Sequence, residues 1–202
     1  MSAFTYDAAS GRYRAEGGRY VPDAQVRAAV DVVADASSER MAALAQRLRA
    51  GSMPLAEWTV EMQRAIKVGH LANGIAAFGG VSEMSASRYG YLGSRIKLEY
   101  QFLRQWSADI ASGAAPLDGR LESRSAQYGQ ASRITFEGVR AREDRIRGVT
   151  EEKNVRHGSR QCRQCATLPT DWVPLGTLPP LGSRECSVND RCSITRRAAP
   201  AA

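Results

Sequence analysis

Cys162, Cys165, Cys186 and Cys192 are the only cysteines among 202 residues, and all lie in the last quarter of the chain. A C-x2-C pair can set two sulfurs about 4 Å apart, along one edge of a tetrahedral zinc site. Cys162-Arg163-Gln164-Cys165 has that spacing, and Cys186 and Cys192 would supply the opposite edge across a 20-residue span. Five residues separate the second pair, wider than the usual two to four. His157 is the reserve nitrogen ligand and Asp190 a spare oxygen. Arg163 beside the thiols would favour their ionised form. A disulfide-linked loop and plain thiols remain the alternatives to zinc.

The chemical surroundings favour metal over disulfides. No apolar run approaches a membrane span; the mild stretch Ile75 to Val81 is far too short. Met1-Ser2-Ala3-Phe4 lacks the basic and apolar regions of a signal peptide. The chain is therefore expected to fold in a reducing cytoplasm, where spaced cysteines bind metal more often than they pair.

No other constellation reads as an active site, and the chain is expected not to be an enzyme. His70 stands alone on a helical stretch, and Ser82-Glu83-Met84-Ser85 is a helix-start signature. Gly69, Gly74, Gly90 and Gly93 follow no phosphate-loop order and suit close helix contact instead. The net charge of +7 attracts polyanions. Arg140, Arg142, Arg145, Arg147, Arg156 and Arg160 cluster before the cysteines and are the candidate phosphate contacts. Glu143 and Asp144 interrupt them, so contact with DNA is expected to be weak and sequence-independent.

The elements that must position these residues are mainly α. Four amphipathic stretches lie between glycine and proline breaks. The first carries Val26, Val30, Val33, Met41, Leu44 and Leu48 after the expected cap Asp23. The second carries Leu55, Trp58, Met62, Ile66 and Ala72 after Ser52. The third carries Tyr89, Leu92, Ile96, Leu103, Trp106 and Ile110 after Ser85. The fourth carries Leu121, Ser125, Tyr128, Ser132, Phe136, Val139 and Ile146 after Asp118. Short connections predict a helical bundle or extended hairpins over 23–148. Residues 1–22 read as an extended arm with Tyr6, Tyr13 and Tyr20 spaced by seven. Residues 149–160 read as a linker, 161–196 as a small irregular module without useful helix or strand, and 197–202 as a tail. Tyr6, Tyr13, Tyr20 and Trp172 are the interface candidates. Trp172 is expected to pack over the metal or against the bundle.

The run Cys162-x-x-Cys165, Asp171-Trp172-Val173-Pro174-Leu175-Gly176-Thr177-Leu178-Pro179-Pro180-Leu181-Gly182, Cys186 and Asn189-Asp190-Arg191-Cys192 resembles the C-terminal module of minor head (head-morphogenesis) proteins of tailed bacteriophages. Those proteins often end in C-x-x-C, then G-W-V-P-x-G-T-L-P-P-x-G, then C, then N-C-R-C. Asp171 stands where glycine often precedes the tryptophan, and Asp190 where the first cysteine of the ending would fall. The resemblance covers some 30–40 residues. It implies a virion component that contacts capsid or portal subunits, self-associates, and serves head assembly, capsid stabilisation or DNA packaging. The rival from the same residues is a zinc-dependent nucleic-acid-binding module.

Overall fold

The computed structural model describes residues 4–7, 10–157, 162–189 and 192–199. Four long helices dominate it: α1 (Asp23–Arg49), α2 (Leu55–Phe78), α3 (Ala86–Ala111) and α4 (Arg120–Ile146). Each corresponds to one expected apolar stripe. Gly79, with φ 102°, ends α2 in the left-handed conformation that glycine tolerates. Ser85 caps α3 by accepting the Arg88 N–H at 3.3 Å. Two expected caps act differently. Asp23 lies inside the first turn of α1 and pairs with Arg27 at 2.7 Å, leaving Pro22 at the cap position. Ser52 donates to the Arg47 carbonyl at 3.1 Å, so it closes α1 rather than opening α2.

Helices α1 and α2 both pack along α4, and α3 lies against α2. Two apolar clusters fill the interior. At one end Met41, Leu44, Trp58, Met62, Ile66, Leu103 and Trp106 meet, with the two indole rings edge to face at 5.2 Å. At the other end Val26, Val30, Phe78, Leu92, Phe136 and Val139 form the second cluster. Polar side chains from the middle of the helices are buried and paired. His70 Nδ1 lies 2.7 Å from Thr135 Oγ1, and the Asn73 amide donates to Ser132 Oγ at 2.8 Å. Gly69 and Gly129 allow this close approach: a Cβ at Gly69 would press on Ser37, and one at Gly129 would strike the Ser38 backbone. Gly74 likewise makes room for Leu92, whereas Gly90 and Gly93 have nothing within 4 Å.

The N-terminal segment differs from the expected arm. Strands β1 (Phe4–Asp7), β2 (Arg12–Ala15) and β3 (Tyr20–Val21) form an antiparallel sheet in that order. Tyr6 and Tyr13 are direct cross-strand partners with ring centroids 5.2 Å apart. Tyr13 is 5% exposed and donates its hydroxyl to the Ala77 carbonyl at 3.0 Å. The chain's own helical core thus orders this segment. Tyr20 stays outside, 38% exposed, between the guanidiniums of Arg12 and Arg14.

The expected linker also differs. Residues Glu151–Val155 form β4, the centre of a second antiparallel sheet with β5 (Val173–Pro174) and β6 (Ser193–Arg197). A short helix α5 (Arg163–Thr167) carries the first cysteine pair. The C-terminal unit therefore starts before residue 151, contains real strands, and reaches Arg197, the first residue of the expected tail. Leu178, Leu181 and Ile194 form its core, against Ile134 of α4.

Two predictions follow from this packing. Tyr13→Ala, which removes a buried ring and a buried hydrogen bond, should lower unfolding free energy by about 3 kcal/mol or more in urea titration. Deleting residues 1–20 should lower the melting temperature of the helical body rather than leave it unchanged. A third prediction concerns pH. Burial, reinforced by the Arg95 charge, lowers the His70 pKa from 6.5 to about 4. The unfolded chain then binds the proton more readily than the fold. Stability is fully present above pH 6.5 and is lost as pH falls toward 4, by up to ~3 kcal/mol. Urea midpoints at pH 7 and pH 5 should differ accordingly, and His70→Gln should flatten that dependence.

Candidate metal centre

Cys162 precedes α5 and caps it, its sulfur accepting the Cys165 N–H at 3.3 Å. One helical turn brings Cys165 beside it on the buried side, 1% exposed. Cys186 arrives from the turn before a 3-10 segment, Ser187–Asn189. Its sulfur lies 3.4 Å from that of Cys162 and 3.6 Å from that of Cys165. All four cysteines are thiols, and these separations exceed the roughly 2.05 Å of a disulfide bond. They approach the sulfur–sulfur edge of about 3.8 Å that a tetrahedral site with metal–sulfur bonds near 2.3 Å requires. Three thiols within 4.8 Å of one another form a group that could hold a metal ion.

The backbone around the thiols is fixed from both sides. Gln164 and Glu185 clasp the two cysteine-bearing turns: the Gln164 N–H donates to Glu185 Oε2 at 3.0 Å. The Glu185 N–H donates to Gln164 Oε1 at 2.7 Å. Behind them Arg184, 3% exposed, donates to the Pro179 carbonyl and to Asn154 Oδ1, each at 3.0 Å. Its Nη1 lies 3.9 Å from the Cys165 sulfur. A guanidinium so placed offsets the negative charge of ligating thiolates. The N–H donated by Cys165, with further contacts from Cys186, lowers the Cys162 pKa. Sequence reading passed over Arg184, Gln164 and Glu185. The signal available was only that Arg184 and Glu185 adjoin Cys186.

The fourth expected ligand is elsewhere. Cys192 enters β6 and packs with Leu178, Leu181 and Ile194, held by the β4–β6 pairing, and does not join the three-thiol group among the described residues. His157 does not join it either; its Nε2 lies 2.9 Å from Ser193 Oγ. Asp190 lies outside the described residues. Trp172 is half-buried and covered by the Arg197 guanidinium, 4.0 Å from the ring centroid.

The candidate phosphate contacts do not share one face. Arg140 and Arg147 turn toward the N-terminal sheet and pair with Asp144. Arg142 pairs with Glu143 at 2.6 Å. Arg145 is exposed. Arg156 donates to the carbonyls of Ala166 and Leu168 at 2.8 and 2.9 Å, bracing α5. Arg160 lies outside the described residues.

The geometry separates the cysteines by role. Elemental analysis of protein prepared in reducing buffer should find about one metal ion per chain. Cys162→Ser, Cys165→Ser and Cys186→Ser should each lose it, while Cys192→Ser keeps it. No protein-family model matches the chain, and no curated protein or solved structure matches it either.

Proposed function

We propose that this chain is a structural component of a phage virion, a minor head or capsid-associated protein whose C-terminal unit is stapled by zinc. One observation carries the reading: the ordered run from Cys162 to Cys186, with every part given a structural task. Gly176, at φ 92°, turns the loop so that its own N–H and that of Leu178 donate to buried Glu152 at 2.9 and 2.7 Å. Leu178 and Leu181 enter the small core. Gly182, at φ 86°, leaves room for Ile134 of α4, which a Cβ would meet at 2.9 Å. The thiols then close the ends of the loop. Such a run resembles a docking knob, built to hold its shape, more than a catalytic site.

Zinc suits this role because a thiolate set favours it and it brings no redox chemistry of its own. A unit of this size has a small core and gains from a metal staple. Capsid or portal subunits are the proposed partners. Tyr89 and Phe102 on α3, 45% and 55% exposed, supply apolar surface for a neighbour. Positive charge on the helical body would let it lie near packaged DNA without a sequence preference.

Particles purified from the producing host, analysed by mass spectrometry and electron cryomicroscopy, should contain the chain at a fixed location on the head or portal. Absence from intact particles at every stage of assembly would overturn the virion reading. Tight binding of one nucleic-acid sequence at high salt would replace it with a nucleic-acid-binding zinc module.

A further inference from the structure

A cleft of about 770 Å³ lies where the N-terminal sheet, α1, α4 and β6 meet. Its volume falls within the range of small-molecule sites. Six arginines and three carboxylates line it. Most of these charges already have partners: Arg27 bridges Asp23 and Glu137, and Arg197 binds Glu151. Two arginines do not fit that pattern.

Arg196 on β6 has a side chain only 7% exposed, yet its buried Nε has no hydrogen-bond partner among the described residues. Its nearest carboxylates, Asp144 and Glu152, are 3.6 and 3.9 Å away. Arg140 on α4, 13% exposed, has long contacts of 3.4 Å to the Gly11 carbonyl and 3.5 Å to Asp144, and its Nη1 has no hydrogen-bond partner among the described residues. A guanidinium carries five donors, and buried donors are rarely left unused. Both arginines line the same cleft. The single carboxylate of Asp144 serves Arg140, Arg147 and Arg196 together. Arg196 also lies 3.9 Å from Glu152, and along the lining of the cleft arginines outnumber carboxylates six to three.

We propose that this cleft binds a compact, doubly charged phosphate group, with Arg140 and Arg196 as its principal donors and exposed Arg12 at the mouth. Planar guanidiniums match the geometry of phosphate oxygens, and such charge-assisted bonds are the strong ones. The cleft is walled by the N-terminal sheet, α1, α4 and β6, so it suits inorganic phosphate, pyrophosphate or the phosphate end of a mononucleotide. It does not suit the side of a duplex. The proposal stands apart from the virion reading, since particle location and phosphate binding are measured independently.

The test is titration calorimetry on the full chain with inorganic phosphate, pyrophosphate and ATP, each against chloride at equal ionic strength. Saturable binding of about one ligand per chain is expected, with a rise in melting temperature. Arg196→Gln and Arg140→Gln should each weaken it roughly tenfold or more. Arg12→Gln, on an exposed side chain outside the core, should weaken it by a smaller factor and leave folding untouched. That variant keeps the test decisive if a buried substitution unfolds the sheet. No heat with any of the three ligands at millimolar concentration would overturn the proposal. So would binding that survives all three substitutions, or duplex DNA binding through these arginines while small phosphates fail to compete.

Discussion

Asp144 sits in the last turn of α4 and is 4% exposed, and a carboxylate so deep needs compensating charge, because an unpaired buried ion costs several kcal/mol. The compensation comes from three directions. Arg140 lies one turn before it on α4, and Arg147 follows it at the C-cap just past the helix end. Arg196 comes from β6. Arg140 stacks on Tyr6 with its guanidinium 4.0 Å from the ring centroid, and Gly11 leaves the space that Arg147 fills. The N-terminal sheet, the helical body and the C-terminal sheet are therefore joined through one anion. Neutralising Asp144 would leave three close cations and loosen all three parts together.

A second polar layer fixes how the helices lie. An all-apolar interior tolerates sliding of one helix along another, because leucine and methionine can repack. Asn73 reaching Ser132, and His70 beside Thr135, do not slide without leaving buried polar groups unmade. Ser38 adds a hydroxyl that donates to the Ala126 carbonyl at 3.0 Å while receiving the Gln130 amide at 2.8 Å. The glycines facing this layer bring α1, α2 and α4 close enough for such short side chains to meet. Stability comes mainly from the two apolar clusters, and register from the polar contacts between them.

The helices were legible because each shows four or more apolar residues at helical spacing between strong breakers. The sheets were not, for reasons visible in their residues. Strand β4 reads Glu-Glu-Lys-Asn-Val, and its buried positions are Glu152 and Asn154. Glu152 accepts from loop N–H groups and the Asn154 amide oxygen from Arg184, partners that arrive from 24 or more residues away. Hydropathy alone makes such a strand look like a linker. The N-terminal sheet left a better trace: the seven-residue recurrence of Tyr6 and Tyr13 is the register of a hairpin, read at first as the spacing of an arm. For the thiols, the spacing of Cys162 and Cys165 was informative because one helical turn sets it. The distance from Cys186 to Cys192 was not, because β6 pairing, which local spacing does not encode, carries Cys192 away.

Net charge also reads differently once the fold is known. A total of +7 suggests an open positive face. In the fold many arginines are tied to carboxylates or carbonyls of the same chain, as Arg133 is to Asp31 and to the Val188 carbonyl at 3.1 and 3.2 Å. Exposed pairs of this kind each add little stability. The partly buried ones do more, because they decide which elements touch: Arg133 binds the 3-10 segment after Cys186 to α1 and α4, and Arg88 ties α3 to Glu143 of α4 at 2.8 Å. Arginine serves here first as a long cross-brace between elements. Its charge is left over where those braces converge, around Asp144, rather than along a helix surface.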